Sequence, residues 1–427
     1  MLNVLYIDLG SSLAQFFLDM SIQTGKINPI FFSTKWKVRS CMERAGCDVY
    51  PVKMNRKSIS PLTDEQFNNI VNDKLLFHKN KAYLRQRASF LYSELDDLLR
   101  HRKVDGVFVW NGSGLAASVA KDVAKQHKVP VMYGENGYFP HTIQIDNQGV
   151  NNASSITQKV GREYGKTEIV AERMEALEAL IRKMVDGNVP PYKKAPKKLK
   201  PSLKARVLNE IDTFSLEKIL KARGINQNLP RYTGPLPDKY IFVPLQVVAD
   251  SQVIMYSPLV GNDMALFVRV CYEAVKKVAP DYRLVVKPHP ADVEVTDYVE
   301  LAANYPELLW VTDRPSLNLI ENASVVITIN STVGLEGVML HKPVITLGDN
   351  FYNVEGVVQH ITAIDQLEKA IETALNEPLD VDRMNRLLYY LYYEYFVHGS
   401  WKDYTQKSYA AIADSIEALL TQDMKAV

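Results

Sequence analysis

One pattern limits this chain more than any other: short apolar, β-branched runs alternate with helical stretches, and the alternation occurs twice. The first series reads as strands at 3–8 ("NVLYID"), 29–33 ("PIFFS"), 48–52 ("DVYPV"), 106–110 ("GVFVW") and 130–134 ("PVMYG"). Residues 63–100 and 114–127 read as helices between them. The second series has "YIFVPL" (240–245), "RLVVK" (283–287), "LLWVT" (308–312), "SVVITI" (324–329) and "PVITL" (343–347). Strands that alternate with helices pair in parallel, because a crossover long enough to hold a helix returns the chain in the same direction. Two doubly wound α/β domains facing across a cleft are expected, with no detectable repeat between them.

Residues 160–225 break the pattern, being charged and helical with no strand signal. Within them "NVPPYKKAPKKLKPSLKAR" carries Lys193, Lys194, Lys197, Lys198, Lys200, Lys204 and Arg206 among four prolines. That composition predicts an exposed connector. Its functional alternative is attachment to anionic lipid or a charged glycan, where each lysine contributes about 1 kcal/mol. The expected divisions are 1–158, a helical and basic linker at 159–235, a second domain at 236–362, and helices at 363–427 that pack back on the domains. Five tyrosines in "YYLYYEYF" (389–396) are expected to pack against the domains with hydroxyls reaching water; contact with a membrane interface is the other reading.

Charge excludes one class of partner. Fifty Lys and Arg against 49 Asp and Glu leave a formal net charge of +1, so no global field draws the chain to nucleic acid. Cys41, Cys47 and Cys271 are scattered, forming neither a disulfide framework nor a metal-binding pair, and suit a reducing cytoplasm. The beginning of the chain lacks a basic region before its apolar run, and no run approaches the roughly 20 residues of a membrane span. Four N-x-[ST] matches, at Asn111, Asn152, Asn322 and Asn330, carry no meaning as glycosylation sites in that compartment.

Nucleotide signatures are poor. "GREYGKT" (161–167) has the wrong glycine spacing for a phosphate loop and follows no strand. "WNGSGLAAS" fits G-x-G-x-x-A through Gly112, Gly114 and Ala117, but on the fourth strand and without the acidic residue that should follow.

Ligands of open parallel sheets bind beyond the carboxyl ends of the strands. Three loops of the second series lie there. One offers Gln246, Asp250, Ser251 and Gln252. Another, "LVVKPHPAD", offers Lys287 and His289, aimed by Pro288 and Pro290 toward the helix that starts at Ser331. The third is "NSTVGLEG", where Ser331 or Thr332 caps a helix whose first turn Gly334 leaves bare. Free N–H groups and the helix dipole favour a phosphate there. Glu336 does not fit a capping box and is expected on a ribose or base. In the first series Glu135 follows its strand directly, and a polar segment after it carries Asp146 and Asn151; carboxylates there suit transfer chemistry.

Four segments, "GENGYFPHTIQIDNQGVN", "VPLQVVADSQVI", "VVKPHP" and "NSTVGLEGVMLHKPVITLG", together resemble bacterial Kdo (3-deoxy-manno-octulosonate) transferases. The β-Kdo transferases of lipopolysaccharide O-antigen assembly resemble them more than the capsule-assembly transferases do. The resemblance spans about 135–348; residues 1–100 and the tail match only in general architecture. It implies a GT-B-like pair of Rossmann-like domains, the first for acceptor and the second for CMP-Kdo. His289, Ser331 and Thr332 would then hold the CMP phosphate, and Lys287 the phosphate or the Kdo carboxylate. Gln246, Ser251, Gln252, Gly334 and Glu336 would complete the donor site, and Asn136 and Asn151 would face the acceptor. Retention implies a carboxylate nucleophile, Asp250 with Asp146 as substitute, and Glu135 as acid/base. No cofactor or metal is expected. The implied partners are CMP-Kdo and a lipid-linked or oligosaccharide acceptor, with no nucleic acid. Peripheral contact with the inner face of the inner membrane or with other glycan-assembly enzymes is left open. A sialyltransferase-like enzyme using another CMP-nonulosonate, and a non-catalytic glycan- or nucleotide-binding module, are the competing readings.

Overall fold

In the computed structural model each of the ten apolar runs contains a strand, because each alternates into a pleated, two-sided core. The structure describes residues 1–52, 61–71, 80–196, 198–213, 229–292 and 296–425. They divide into two units. The first holds 1–155, 190–214 and 396–427, the second 156–189 and 215–395.

The sheet of the first unit contains β1 (Leu2–Ile7), β2 (Ile27–Phe32), β3 (Asp48–Val49), β4 (Gly106–Trp110), β5 (Val131–Asn136) and β6 (Ile143–Asp146). Their order is β3-β2-β1-β4-β5-β6. β1 to β5 run parallel, and β6 turns back antiparallel on β5. The hairpin into β6 leaves no room for a side chain at Gly137, which lies against the Thr142 backbone and accepts nothing larger than hydrogen. β6 sits in the polar segment after Glu135, where the sequence reading placed no strand; its four residues are all buried.

The second sheet contains β7 (Tyr240–Pro244), β8 (Arg283–Lys287), β9 (Leu309–Trp310), β10 (Val325–Thr328), β11 (Val344–Thr346) and β12 (Gln359–His360). Its order is β12-β11-β10-β7-β8-β9, and every pairing is parallel. Two parallel-sheet α/β domains are therefore what the chain forms. β7 and β10 flank the point where the strand order reverses, as β1 and β4 do in the first unit. Those are the places where loops leave in opposite directions and a crevice opens.

The opening stretch of the first unit ends at 155, near the expected 158, and beyond it the expected divisions differ from the structure. The stretch 159–235 is not a piece apart, since both its ends belong to the second unit while its middle, 190–214, belongs to the first. The helix Ala171–Val185 buries Met174, Leu177 and Ile181, one face at helical spacing, in the second unit. Residues 190–196 and 198–202 lie pinned on the first unit. The part of the expected linker at 214–228 is outside the described residues, as is Lys197. The C-terminal helices also part company. Helix Val381–Tyr390 stays with the second unit, whereas Gln406–Lys425 packs on helix Ser11–Thr24 of the first. Ile412, Ile416 and Leu420, four residues apart, are fully buried there.

The tyrosine-rich segment packs against the second unit through 395, but two of the hydroxyls expected to reach water bond to protein groups instead. The Tyr390 hydroxyl donates to Glu163 (3.0 Å), and burial pushes its pKa up. The Tyr393 hydroxyl donates to the Arg173 carbonyl (2.7 Å). Among the described residues, no helix is long and apolar enough to cross a membrane.

Candidate functional site

The carboxyl edge of the second sheet is built on a pair of amides. The Asn330 N–H donates to Gln246 Oε1, and Gln246 Nε2 donates to Asn330 Oδ1, both at 3.0 Å. Each residue is only 7% exposed, so this exchange bridges β7 and β10 at the switch point without solvent help. Asn330 Nδ2 also donates to the carbonyls of Gln252 (3.0 Å) and Tyr256 (3.3 Å). With a further bond to the Asp349 carbonyl (3.4 Å), one asparagine thus fastens the segments after β7, β10 and β11. Its only mark in the sequence was an N-x-[ST] match. Gln246, expected as a donor ligand, has its Oε1 and one Nε2–H committed to this bridge.

A second anchor was also missed. Asp292 is fully buried; its Oδ1 accepts from the Val248 N–H (3.1 Å) and its Oδ2 from the Tyr298 hydroxyl (2.6 Å). It ties the loop after β7 to the loop after β8. That places Asp250, which caps helix Ser251–Tyr256 through Oδ1 accepting from the Gln252 N–H at 2.8 Å. Asp250, Ser251 and Gln252 are all partly exposed.

His289 is exposed beyond β8, and the Ala291 N–H donates to its Nδ1 at 3.1 Å. An accepting Nδ1 puts the ring proton of the neutral imidazole on Nε2, the nitrogen left to donate to a ligand. Lys287 departs from expectation. Its Nζ donates to the Arg314 carbonyl (2.5 Å), on the loop after β9. β9 flanks β8 on the side away from β7 and β10, so Lys287 is held away from Ser331, and the expected clamp of Lys287 with His289 is not formed. Half-burial pulls the lysine pKa down, against the opposing charge of Asp313.

Ser331 is the N-cap of helix Thr332–Met339, its hydroxyl accepting from the Val333 N–H (3.2 Å), and Thr332 is exposed at the first helical position. Gly334 is bare for a packing reason. A Cβ there would overlap the Tyr352 ring, whose hydroxyl donates to the Ser331 carbonyl. The carboxyl of Glu336 has no hydrogen-bond or ion-pair partner among the described residues, and burial pushes its pKa up to about 7.

The first unit has its own edge. Glu135 Oε2 accepts from Asn111 Nδ2 (3.0 Å), and Oε1 accepts from the Asn136 N–H (2.7 Å) and Nδ2 (3.0 Å). Asn111 ends β4 at φ +62°, a conformation asparagine tolerates better than most residues. It too was seen in the sequence only as an N-x-[ST] match. Asn136 Oδ1 accepts from Trp401 Nε1 (2.9 Å). Asn151 Oδ1 accepts from the Tyr138 hydroxyl (2.8 Å), which makes it a fastening of the hairpin.

Asp146 is withdrawn from that edge. Because β6 runs antiparallel, Asp146 pairs with Tyr133 while Gln144 pairs with Glu135, which sets Asp146 roughly 7 Å farther from the edge. It is 3% exposed. Its oxygens accept from the N–H groups of Gln148 (2.7 Å), Gly149 (3.3 Å) and Ser155 (3.0 Å) and from the Ser155 hydroxyl (2.7 Å). A carboxylate held this way fastens a loop and has poor access to a substrate.

Between β1 and β4 lies a crevice of about 420 Å³, lined by Asp8, Gly10, Lys35, Arg87, Trp110 and Gly114 among others. Among the described residues, no group of three or more His, Cys, Asp or Glu could hold a metal ion.

A family model described as "Capsule polysaccharide biosynthesis protein" matches residues 105–392. Protein FixF of Sinorhizobium fredii is 29% identical over 336 residues, 78% of this chain and 71% of that protein. The capsule polysaccharide export protein KpsS of Escherichia coli is 25% identical over 308 residues, 65% of this chain and 78% of that protein. Among solved structures, the β-Kdo 2,7 transferase KpsC of Thermosulfurimonas dismutans is 17% identical with a TM-score of 0.40, covering 69% of this chain and 80% of that one.

Proposed function

Since the chain belongs to the family of capsule polysaccharide biosynthesis proteins, we propose that it is a glycosyltransferase that moves Kdo from CMP-Kdo to a sugar hydroxyl of a bacterial surface glycan. The observation that carries this reading is the edge at the β7–β10 switch point. There an exposed imidazole with an Nε2–H to offer lies on the same sheet edge as a helix N-terminus bearing Ser331 and Thr332. Those groups suit a single phosphate diester, the linkage a CMP-sugar carries.

In the proposed reaction, the Asp250 carboxylate attacks the anomeric carbon. The glycosidic C–O bond to phosphate breaks, CMP leaves with the electron pair, and a glycosyl ester on Asp250 remains. An acceptor hydroxyl then gives its proton to Glu135 and displaces Asp250, so two inversions retain configuration. Asp250 is chosen over Asp146 because it is partly exposed, with one carboxylate oxygen engaged in the helix cap, whereas Asp146 is buried and held by several donors. Glu135 suits the acid/base role because Asn111 and Asn136 already orient its carboxylate at the strand end. Lys287 is left to act through its charge near the donor carboxylate.

Incubation of the full chain with CMP-Kdo alone, followed by intact-mass measurement, tests donor and mechanism together. The expected product is the protein plus one Kdo residue. Asp250→Asn should abolish the adduct while CMP affinity changes little. An adduct that survives in Asp250→Asn removes Asp250 from the mechanism.

A further inference from the structure

The basic stretch between the two main series remains outside the transfer scheme. From Gly187 to Leu208 the sequence has seven cations and no acid. The structure does not leave it as a loose connector. The Lys193 N–H donates to Asp403 Oδ1 (2.8 Å), and its carbonyl accepts from the Tyr404 N–H (2.9 Å). The Leu199 N–H donates to Gln15 Oε1 (3.1 Å), the Lys200 carbonyl accepts from Arg44 Nη1 (3.2 Å), and the Ser202 N–H donates to the Ser40 hydroxyl (2.9 Å). Ala195 and Leu199 pack against the first unit's core. The backbone is thus laid down as a strap.

Apart from Tyr192, whose ring packs on His141, the long side chains that the strap turns outward are cationic. Lys193, Lys194, Lys198, Lys200, Lys204 and Arg206 are exposed, and none forms an ion pair among the described residues. The strap runs into helix Leu203–Thr213, where two large apolar side chains are also exposed, Leu203 at 75% and Val207 at 52%. Four residues apart, they lie one above the other on one helix face. At about 100° per residue, Lys204 and Arg206 fall on opposite flanks of that pair. An apolar stripe edged by long cations is the arrangement that sinks into a headgroup layer while the charges reach back to phosphate.

We propose that the strap (190–196 and 198–202) and the start of the following helix are a docking surface for an anionic phospholipid membrane. Charge selects the surface, and Leu203 and Val207 insert. The surface is separate from the residues assigned to donor chemistry, so it stands or falls independently of the transfer reaction.

Co-sedimentation of the full chain with vesicles tests it. Binding is expected to phosphatidylcholine vesicles that contain phosphatidylglycerol, and not to phosphatidylcholine alone. It should weaken as salt shortens the electrostatic range. Each cation removed should lower the partition coefficient about fivefold, so K193S/K194S/K198S/K200S should lose several hundred-fold. L203S/V207S should keep binding at low salt and lose what remains at high salt. Unchanged thermal midpoints would show that the variants fold, since the anchoring N–H and carbonyl groups are untouched. Equal binding of wild type and the lysine variant to the anionic vesicles would overturn the proposal. So would failure of wild type to bind them while soluble oligogalacturonate binds the strap, which would make the surface a glycan site.

Discussion

At the scale of single residues, His289 and Glu336 carry the clearest consequences. The Ala291 N–H holds His289 Nδ1 as an acceptor, so the ring has one donor, Nε2–H, to offer a phosphate. A hydrogen bond to a charged group contributes about 1.5–3 kcal/mol. His289→Ala should therefore weaken CMP binding about 10- to 100-fold in titration calorimetry. An unchanged affinity would return the histidine to a turn residue. Glu336 bears on stability. Its pKa is raised from the usual value to about 7, so the folded protein holds its proton more tightly than the unfolded chain does. Stability is then unaffected below the unfolded value, about 4.5, and falls as pH rises toward 7, by on the order of 3 kcal/mol. Glu336→Gln should be no more stable than wild type near about pH 4 and clearly more stable above about pH 7, read as urea midpoints. A difference that does not grow with pH would mean the carboxyl finds a partner.

At the scale of elements, helix Thr332–Met339 shows how packing and binding compete for one explanation. Gly334 looks like a glycine kept small for a ligand, yet the space is filled by Tyr352. Gly334→Ala should cost about 1–3 kcal/mol through overpacking and weaken CMP binding by shifting the Ser331 cap. Removing the tyrosine ring as well, in G334A/Y352A, should restore part of the binding. If Gly334→Ala is neutral in both denaturation and titration, the helix end is more yielding than a close-packed turn. The hairpin β5–β6 teaches a related point. Glu135 and Asp146 stand in one polar segment of similar composition throughout. Reversal of the strand between them leaves Glu135 at the edge and takes Asp146 away from it.

At the scale of the whole molecule, the chain passes between its two units four times and ends in the first. Helix Gln406–Lys425 completes the first core with Ile412, Ile416 and Leu420. Ile416 is fully buried, so Ile416→Ala should cost about 2–5 kcal/mol. Hydrogen exchange should then accelerate in β1 and β2, which share that core, while β7 and β8 keep their protection. Faster exchange in both sheets would show that the two units unfold as one.

Much of this was legible without coordinates. Apolar alternation is a local property, and it located all ten of the expected strands, with edges displaced by up to three residues. The prolines around His289 and the Ser-Thr pair before Gly334 marked a loop and a helix start for equally local reasons. The polar fastenings were not legible, because each depends on residues far apart in the chain. Gln246 and Asn330 are 84 positions apart, Val248 and Asp292 are 44, Asn111 and Glu135 are 24. A buried polar group must find a partner, but sequence does not say which one the fold will bring. By itself, the sequence determined two parallel α/β sheets and the loops that leave their carboxyl edges. Only the tertiary structure decided which side chains at those edges are consumed in holding loops (Gln246, Asn330, Asp292, Asp146) and which are turned toward solvent, as His289, Thr332 and the lysines of the strap are. The reason is physical: strand and helix patterns are set by neighbours along the chain, whereas hydrogen-bond satisfaction is settled among neighbours in space.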